Sequence, residues 1–203
     1  MASVLLETAI EKLQRNDPAG AQRVLDKLSV HDQGRAEVLL LRGLSELAQS
    51  DAAKALEYLS RAHDLKPDEP VILQNLINAG LAIADGAPAQ DAIVQYERVL
   101  ELDNGNEQAL LGLARCRQEC CDFEDAVELY HVYLTLHPQD VSVLIGLGYC
   151  LQELRRPDEA RVAYEKALTI DSKVRPLVLK SLSTASSGSV SLTGYRQQDM
   201  LTF

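Results

Sequence analysis

A spacing that recurs every 34 residues limits what this chain can fold into more than any other feature. Between Val141 and Ser172, Leu147, Gly148 and Leu151 are followed by a break at Arg156 and Pro157, and then by Ala160, Tyr164 and Ala167. That pattern implies two amphipathic helices folded back on each other, with Ala and Gly where the axes come close and large apolar residues beside them. Such a hairpin has apolar surface on both sides, so it needs copies of itself as neighbours. Stepping back 34 residues meets Ala126, Tyr130 and Tyr133, with Ala114 at the place of Gly148. Earlier copies are Ala92, Tyr96 and Val99, then Ala55, Leu59 and Ala62 with Gly43 ahead of them, then Ala21, Leu25 and Leu28. Five repeats therefore tile residues 2–35, 36–69, 70–106, 107–140 and 141–174. Only the third is longer, by three residues, and the excess is assigned to its inner turn at residues 84–89.

Helix boundaries are readable in the turns. Asp17 and Pro18 read as an N-cap and first-turn proline, since Asp accepts orphan amides and Pro has none to lose. Asp122, ahead of Phe123, Glu124 and Asp125, is expected to cap in the same way and to place acids at the positive end of a helix dipole. Pro67, Pro70 and Pro138 stop one helix and begin the next. The expected product is ten helices of roughly 12 to 15 residues. After Ser172, Val174, Leu177, Val178 and Leu182 fall on one face, so residues 175–184 read as a capping helix over the last apolar surface. Residues 185–203 begin Ser- and Gly-rich and are expected to be a flexible or docking tail.

Period and pattern resemble the tetratricopeptide repeat, a 34-residue helix-turn-helix unit with Trp, Leu-Gly, Tyr, Ala, Phe and Pro at fixed places. The fifth repeat matches best, with Leu144 at the Trp place, Leu147, Gly148, Leu151, Ala160, Tyr164 and Ala167. The fourth matches through Leu113, Ala114, Ala126, Tyr130 and Pro138. The second matches through Gly43, Ala55, Leu59, Ala62 and Pro67, but it departs at Arg42 and Glu46, where the family keeps apolar residues. A local shift of register there would account for the departure. The resemblance implies an all-α fold, a right-handed α-solenoid of five units and about ten helices, closed by the capping helix. Unrelated functions share this fold, so it does not by itself assign one.

The resemblance also implies that the second, fifth, ninth and twelfth places of each unit face a concave binding groove. Those places hold Leu40, Leu44, Gln74, Asn78, Gln108, Leu111, Arg115, Gln118, Tyr149 and Gln152, the expected peptide-binding residues. The family positions also include Leu6, Ile10, Leu81 and Ile145. Aliphatic side chains dominate the first two repeats, while amides, Arg115 and Tyr149 appear from Gln74 onward. Amides can donate to and accept from the backbone of an extended peptide without demanding one sequence. Against that stands packing of Leu6, Ile10, Leu40 and Leu44 on the next helix, and pairing of Arg115 with Glu119 four residues on. The family's clamp for a C-terminal carboxylate, with Lys at the fifth place and Asn at the ninth, is not expected. Leu6 and Ile10, then Leu40 and Leu44, hold those places, and Asn78 alone remains.

Charge and composition exclude other classes. Thirty acids against 20 Lys and Arg give a net charge of -10, which repels nucleic acid and anionic lipid. A protein or peptide ligand that is neutral, apolar or basic is expected instead. No run approaches the roughly 18 apolar residues of a membrane span, and the N-terminus has no signal-peptide pattern. Cys116, Cys120, Cys121 and Cys150 lack disulfide spacing, which favours reduced thiols and a cytoplasmic setting. Cys116, Cys120 and Cys150 could meet as a metal or redox site, but no fourth ligand has the spacing, and small buried residues at a close helix contact is the preferred reading. No catalytic, cofactor or metal residues are expected, because no nucleophile motif or phosphate loop occurs. The function expected is a non-catalytic protein-interaction module, an adaptor or scaffold. Two alternatives remain: the substrate-recruiting N-terminal region of a larger transferase, and a self-assembling scaffold that would form homo-oligomers.

Overall fold

The structure, a computed structural model, describes residues 2–185, with side chains described through residue 180. They divide into two compact units, Met1–Gly112 and a second beginning at Leu113. The first holds α1 (Ala2–Gln14), α2 (Pro18–Leu25), α3 (Val30–Gln33), α4 (Ala36–Ala48), α5 (Ala52–Leu65), α6 (Pro70–Gly86) and α7 (Ala89–Leu102). The boundary falls inside α8 (Glu107–Glu119). The second unit continues with α9 (Phe123–Leu136), α10 (Val141–Glu153) and α11 (Pro157–Ile170), then a 3-10 turn at Ser172–Val174 and α12 (Arg175–Ala185). The fold is all-α, built of repeated helix hairpins. The expected tail lies outside the described residues from residue 186 onward, and so does the side chain of Leu182.

Four inner turns are built alike. The second residue past the first helix is left-handed at Asn16 (φ 56°), Ser50 (φ 62°), Cys121 (φ 64°) and Arg155 (φ 57°). The next amide reaches five residues back: Asp17 N to Lys12 O at 2.9 Å, Asp51 N to Glu46 O at 3.0 Å, Asp122 N to Arg117 O at 2.9 Å and Arg156 N to Leu151 O at 2.9 Å. This is the Schellman closure of a helix, here made without the glycine that usually takes the left-handed place. The residue after it then starts the second helix. Asp17 Oδ1 accepts from Gly20 N at 2.8 Å, and Asp51 Oδ1 accepts from Lys54 N at 3.1 Å. Asp122 does not cap in that way. Its carboxylate accepts from Arg117 Nη1 at 3.1 Å, because the same turn brings the two together.

Two repeats depart from the regular count. In the first, α2 stops after 8 residues, and Ser29 caps the separate turn α3 by accepting from Asp32 N at 3.2 Å. The extra short helix raises the count above the ten expected for the repeats. In the third, the three additional residues do not lengthen the inner turn. They extend α6 to 17 residues, close to one further turn of 3.6, leaving only Ala87 and Pro88 between helices.

Within each compact unit the core sits between the two helices of a hairpin and between neighbouring hairpins. A Cβ on Gly43 would stand 2.6 Å from Leu59 Cγ, and one on Gly148 would stand 2.6 Å from Tyr164 Cε1. Gly112 similarly lies under the Tyr96 ring. Ala21, Ala55, Ala92, Ala126 and Ala160 are all buried. The second repeat keeps its register, since Gly43, Ala55, Leu59 and Ala62 are buried as the pattern requires. Arg42 and Glu46 are accommodated by a polar link from α4 to α2 instead of by a shift. Gln22 accepts from Arg42 Nη1 at 3.0 Å and donates to Glu46 Oε1 at 2.9 Å, while Arg42 Nη2 donates to Asp26 Oδ1 at 2.9 Å. At the C-terminal end, Val178 of α12 is buried, while Leu177 and Leu179 are 50% and 47% exposed, so among the described residues of α12 Val178 is the buried apolar contact of the cap.

Two stability outcomes follow from this geometry. Gly148→Ala drives a methyl into the buried Tyr164 ring and is expected to lower stability by about 1–3 kcal/mol in a denaturant titration. Arg155→Gly removes the penalty of a left-handed non-glycine residue and is expected to raise it by about 1 kcal/mol in the same measurement.

Candidate functional site

The first helix of each hairpin has two faces, and this division defines the candidate site. In α4, Val38, Leu39, Leu41, Gly43 and Ser45 turn inward and are buried, while Leu40, Leu44 and Leu47 stay half-buried on the other side. Leu6 and Leu44 touch the core cluster around Ala9 and Val38, and Leu40 touches two clusters, those of Ala62 and Ile72 and of Ala55 and Leu59. These leucines therefore support the core and still present surface. Ile10 is exposed, whereas Leu81 and Ile145, which the same family places would turn outward, are buried.

In the first compact unit the polar members are exposed but linked to other side chains. Gln74 Nε2 donates to Asn78 Oδ1 at 3.2 Å, one helical turn along α6. The bond uses one of the two Gln74 Nε2 hydrogens and one lone pair of Asn78 Oδ1, so the pair still offers a ligand both donors and acceptors, with Gln74 Oε1 and Asn78 Nδ2 not engaged in it. Gln108 Nε2 donates to Asp85 Oδ2 at 3.0 Å, while Asp85 Oδ1 accepts from the Tyr96 hydroxyl at 2.7 Å. Leu111 is half-buried beside them on α8.

The second compact unit holds Arg115, Gln118, Tyr149 and Gln152. Gln118 Oε1 accepts from the Tyr130 hydroxyl at 2.8 Å and lies 3.5 Å from the Cys150 thiol, which donates to it. Gln152 Oε1 accepts from the Tyr164 hydroxyl at 3.2 Å, which repeats the arrangement one repeat later. These tyrosine links were not anticipated, although the spacing of 12 residues from Gln to Tyr stands in both repeats. Burial pushes the Tyr130 hydroxyl well above its ordinary range, and burial also lifts the Cys150 thiol to about 12, so both remain protonated donors at neutral pH. Tyr149 packs edge-on against Phe123 with ring centroids 6.0 Å apart. Its hydroxyl is also shifted upward, mainly by burial.

Arg115 is exposed, and its charge acts on Asp140 and Tyr130. Burial alone would raise the Asp140 carboxyl. Hydrogen bonds from Ser142 Oγ at 2.8 Å, Val143 N at 3.1 Å and Ser142 N at 3.0 Å, with the Arg115 charge, hold it below its ordinary value of 3.8. Of the cysteines, Cys150 is buried, Cys116 and Cys120 are half-buried and Cys121 is exposed in its turn. Among the described residues no group of three His, Cys, Asp or Glu is placed to hold a metal ion, and no helix is long and apolar enough to cross a membrane.

With this arrangement in view, three stretches match family descriptions, all of them "Tetratricopeptide repeat": residues 6–70, 82–134 and 141–174. Together they span most of the sequence. The chain belongs to the tetratricopeptide repeat family. Solved structures of MamA share the fold. The AMB-1 MamA in its P212121 crystal form is 17% identical, with a TM-score of 0.61, covering 100% of this chain and 97% of that one. A structure titled "Crystal structure of MamA protein" gives 20% identity and a TM-score of 0.59 over 86% of this chain and 94% of that one. A further MamA structure gives 22% and 0.55 over 81% and 95%. No curated protein matches the sequence. Membership in this family makes the chain a protein-interaction or scaffold module.

The depressed Asp140 carboxyl carries a pH signature. It protonates more readily in the unfolded chain than in the folded one, so its contribution is present above 3.8 and is lost as pH falls through the lower folded value. Asp140→Ala is expected to cost about 1 kcal/mol at pH 7. That difference from the parent shrinks as denaturant titrations are repeated toward pH 3.

Proposed function

We propose that the chain is a non-catalytic adaptor or scaffold that holds a peptide segment of a partner protein on the outward faces of its first helices. The observation that carries this reading is the two-faced character of those helices. In α4 and α6 one side is fully buried, while Leu40, Leu44, Gln74 and Asn78 leave apolar and amide surface that the core does not use. Apolar anchors beside amides suit a peptide ligand, because side chains supply affinity and backbone amides supply orientation.

Charge narrows the partner. Residues 1–112 contain 18 acids against ten bases, so a neutral, apolar or basic segment is favoured there and a nucleic acid or anionic lipid surface is disfavoured. The four cysteines are all free thiols, which fits a setting that keeps thiols reduced, such as the cytoplasm.

Affinity capture from cell extract with the tagged full chain tests this proposal. Asn78→Ala combined with Arg115→Glu should reduce recovery of specifically bound protein about tenfold, because it deletes an amide and reverses a charge. Unchanged capture by the folded double variant would remove these faces from the proposed function.

A further inference from the structure

The second compact unit contains a repeated device whose consequence is directional. In both of its hairpins a tyrosine hydroxyl from the second helix reaches back to the glutamine that ends the first helix's outward face. The pairs are Tyr130 to Gln118 Oε1 at 2.8 Å and Tyr164 to Gln152 Oε1 at 3.2 Å. A glutamine amide has one acceptor end and one donor end, and only one end can meet a phenol that is donating its proton. Cys150 adds a second donor to Gln118 Oε1 at 3.5 Å. The pairing fits closely, since a Cβ on Gly146 would stand 3.1 Å from the Tyr130 oxygen and 3.3 Å from Gln118 Oε1.

We propose that these tyrosines are positioning residues that fix each glutamine with its oxygen inward and its Nε2 outward, giving the unit a ligand face of donors for the backbone carbonyls of an extended peptide. The inference rests on the peptide-binding reading above and deepens it by stating which hydrogen-bonding groups of the ligand are recognised. Arg115, exposed one turn before Gln118 on the same helix, can only donate. An α-helical ligand would satisfy its own carbonyls internally and offer few acceptors, whereas an extended segment leaves them open. The Gln118 to Cys150 contact joins α8 to α10, the helices that carry the two donors, and the usual axis spacing of packed helices, about 8–10 Å, is the reach of two to three extended residues. Asp85, at the corresponding contact with Tyr96 in the third repeat, is a carboxylate with no amide donor, so the donor face is specific to the fourth and fifth repeats.

The test uses the full-length chain and random dodecapeptides displayed on phage, with the tightest selected peptide resynthesised and its affinity measured by fluorescence anisotropy. Gln118→Glu with Gln152→Glu keeps an oxygen for each tyrosine and removes both outward donors. It is expected to weaken binding about tenfold or more with an unchanged thermal melting profile. Tyr130→Phe with Tyr164→Phe frees the amides to turn and is expected to weaken binding about threefold. N-methylation of the peptide, which removes its N–H donors and keeps its carbonyls, is expected to be tolerated at the residues that contact this face. Wild-type affinity in the folded Gln118→Glu, Gln152→Glu variant would overturn the donor face. If Asn78→Ala weakens the same peptide, the broader peptide-binding reading survives that result. Selection of no peptide at all would overturn both.

Discussion

Everything in these hairpins depends on how closely two helix axes approach, and that distance is set where a small residue on one helix meets a large one on the other. Gly43 admits Leu59, and Gly148 admits Tyr164, each at a separation that leaves no room for a methyl group. Interiors are packed to crystal density, so these contacts are felt through the whole hairpin. Because close approach leaves apolar surface on both outer sides, each hairpin needs a neighbour, and the repeat follows from the contact.

This constraint explains why so much of the fold was legible in the sequence. Ala21, Ala55, Ala92, Ala126 and Ala160 mark the buried contact, and all five are buried where the period places them. The points that were not legible have local causes. Arg42 and Glu46 looked like a register error because residue type alone does not reveal a partner on another helix. Gln22 supplies that partner, and a buried polar group that is hydrogen-bonded costs far less than one left alone. The three additional residues of the third repeat were assigned to the inner turn at residues 84–89. The helix instead runs to Gly86, since three residues are almost a full turn and leave α7 able to fold back on α6.

The candidate site was legible as positions but not as hydrogen-bonding states. Family places identified Gln74, Asn78, Gln108, Gln118 and Gln152 as amides on first helices, and those places alone suggested groups open to any ligand. Each of them has a side-chain bond in the structure: Gln74 with Asn78, Gln108 with Asp85, and Gln118 and Gln152 with tyrosines. A position on a helix face does not say which end of an amide is used, because that depends on what the second helix places behind it.

The same tyrosines connect the core contact to the outward face. Tyr164 fills the space over Gly148 with its ring and then places its hydroxyl on Gln152. One side chain therefore sets the approach of α10 and α11 and also the orientation of an amide at the edge of the face. Tyr96 and Tyr130 combine the two tasks differently: each also places its hydroxyl on its own first helix, on Asp85 and on Gln118, but the glycine it packs against, Gly112 or Gly146, belongs to the first helix of the next hairpin. In the first two repeats Leu25 and Leu59 stand at the tyrosine place. A leucine can fill the space but cannot orient a polar group, and the outward places there are mostly aliphatic. Tyrosine at the buried end of the hairpin thus goes with a polar acceptor at the edge of the first helix, Asp85, Gln118 or Gln152, each of which takes its hydroxyl, whereas leucine at that place leaves a polar edge group without this partner.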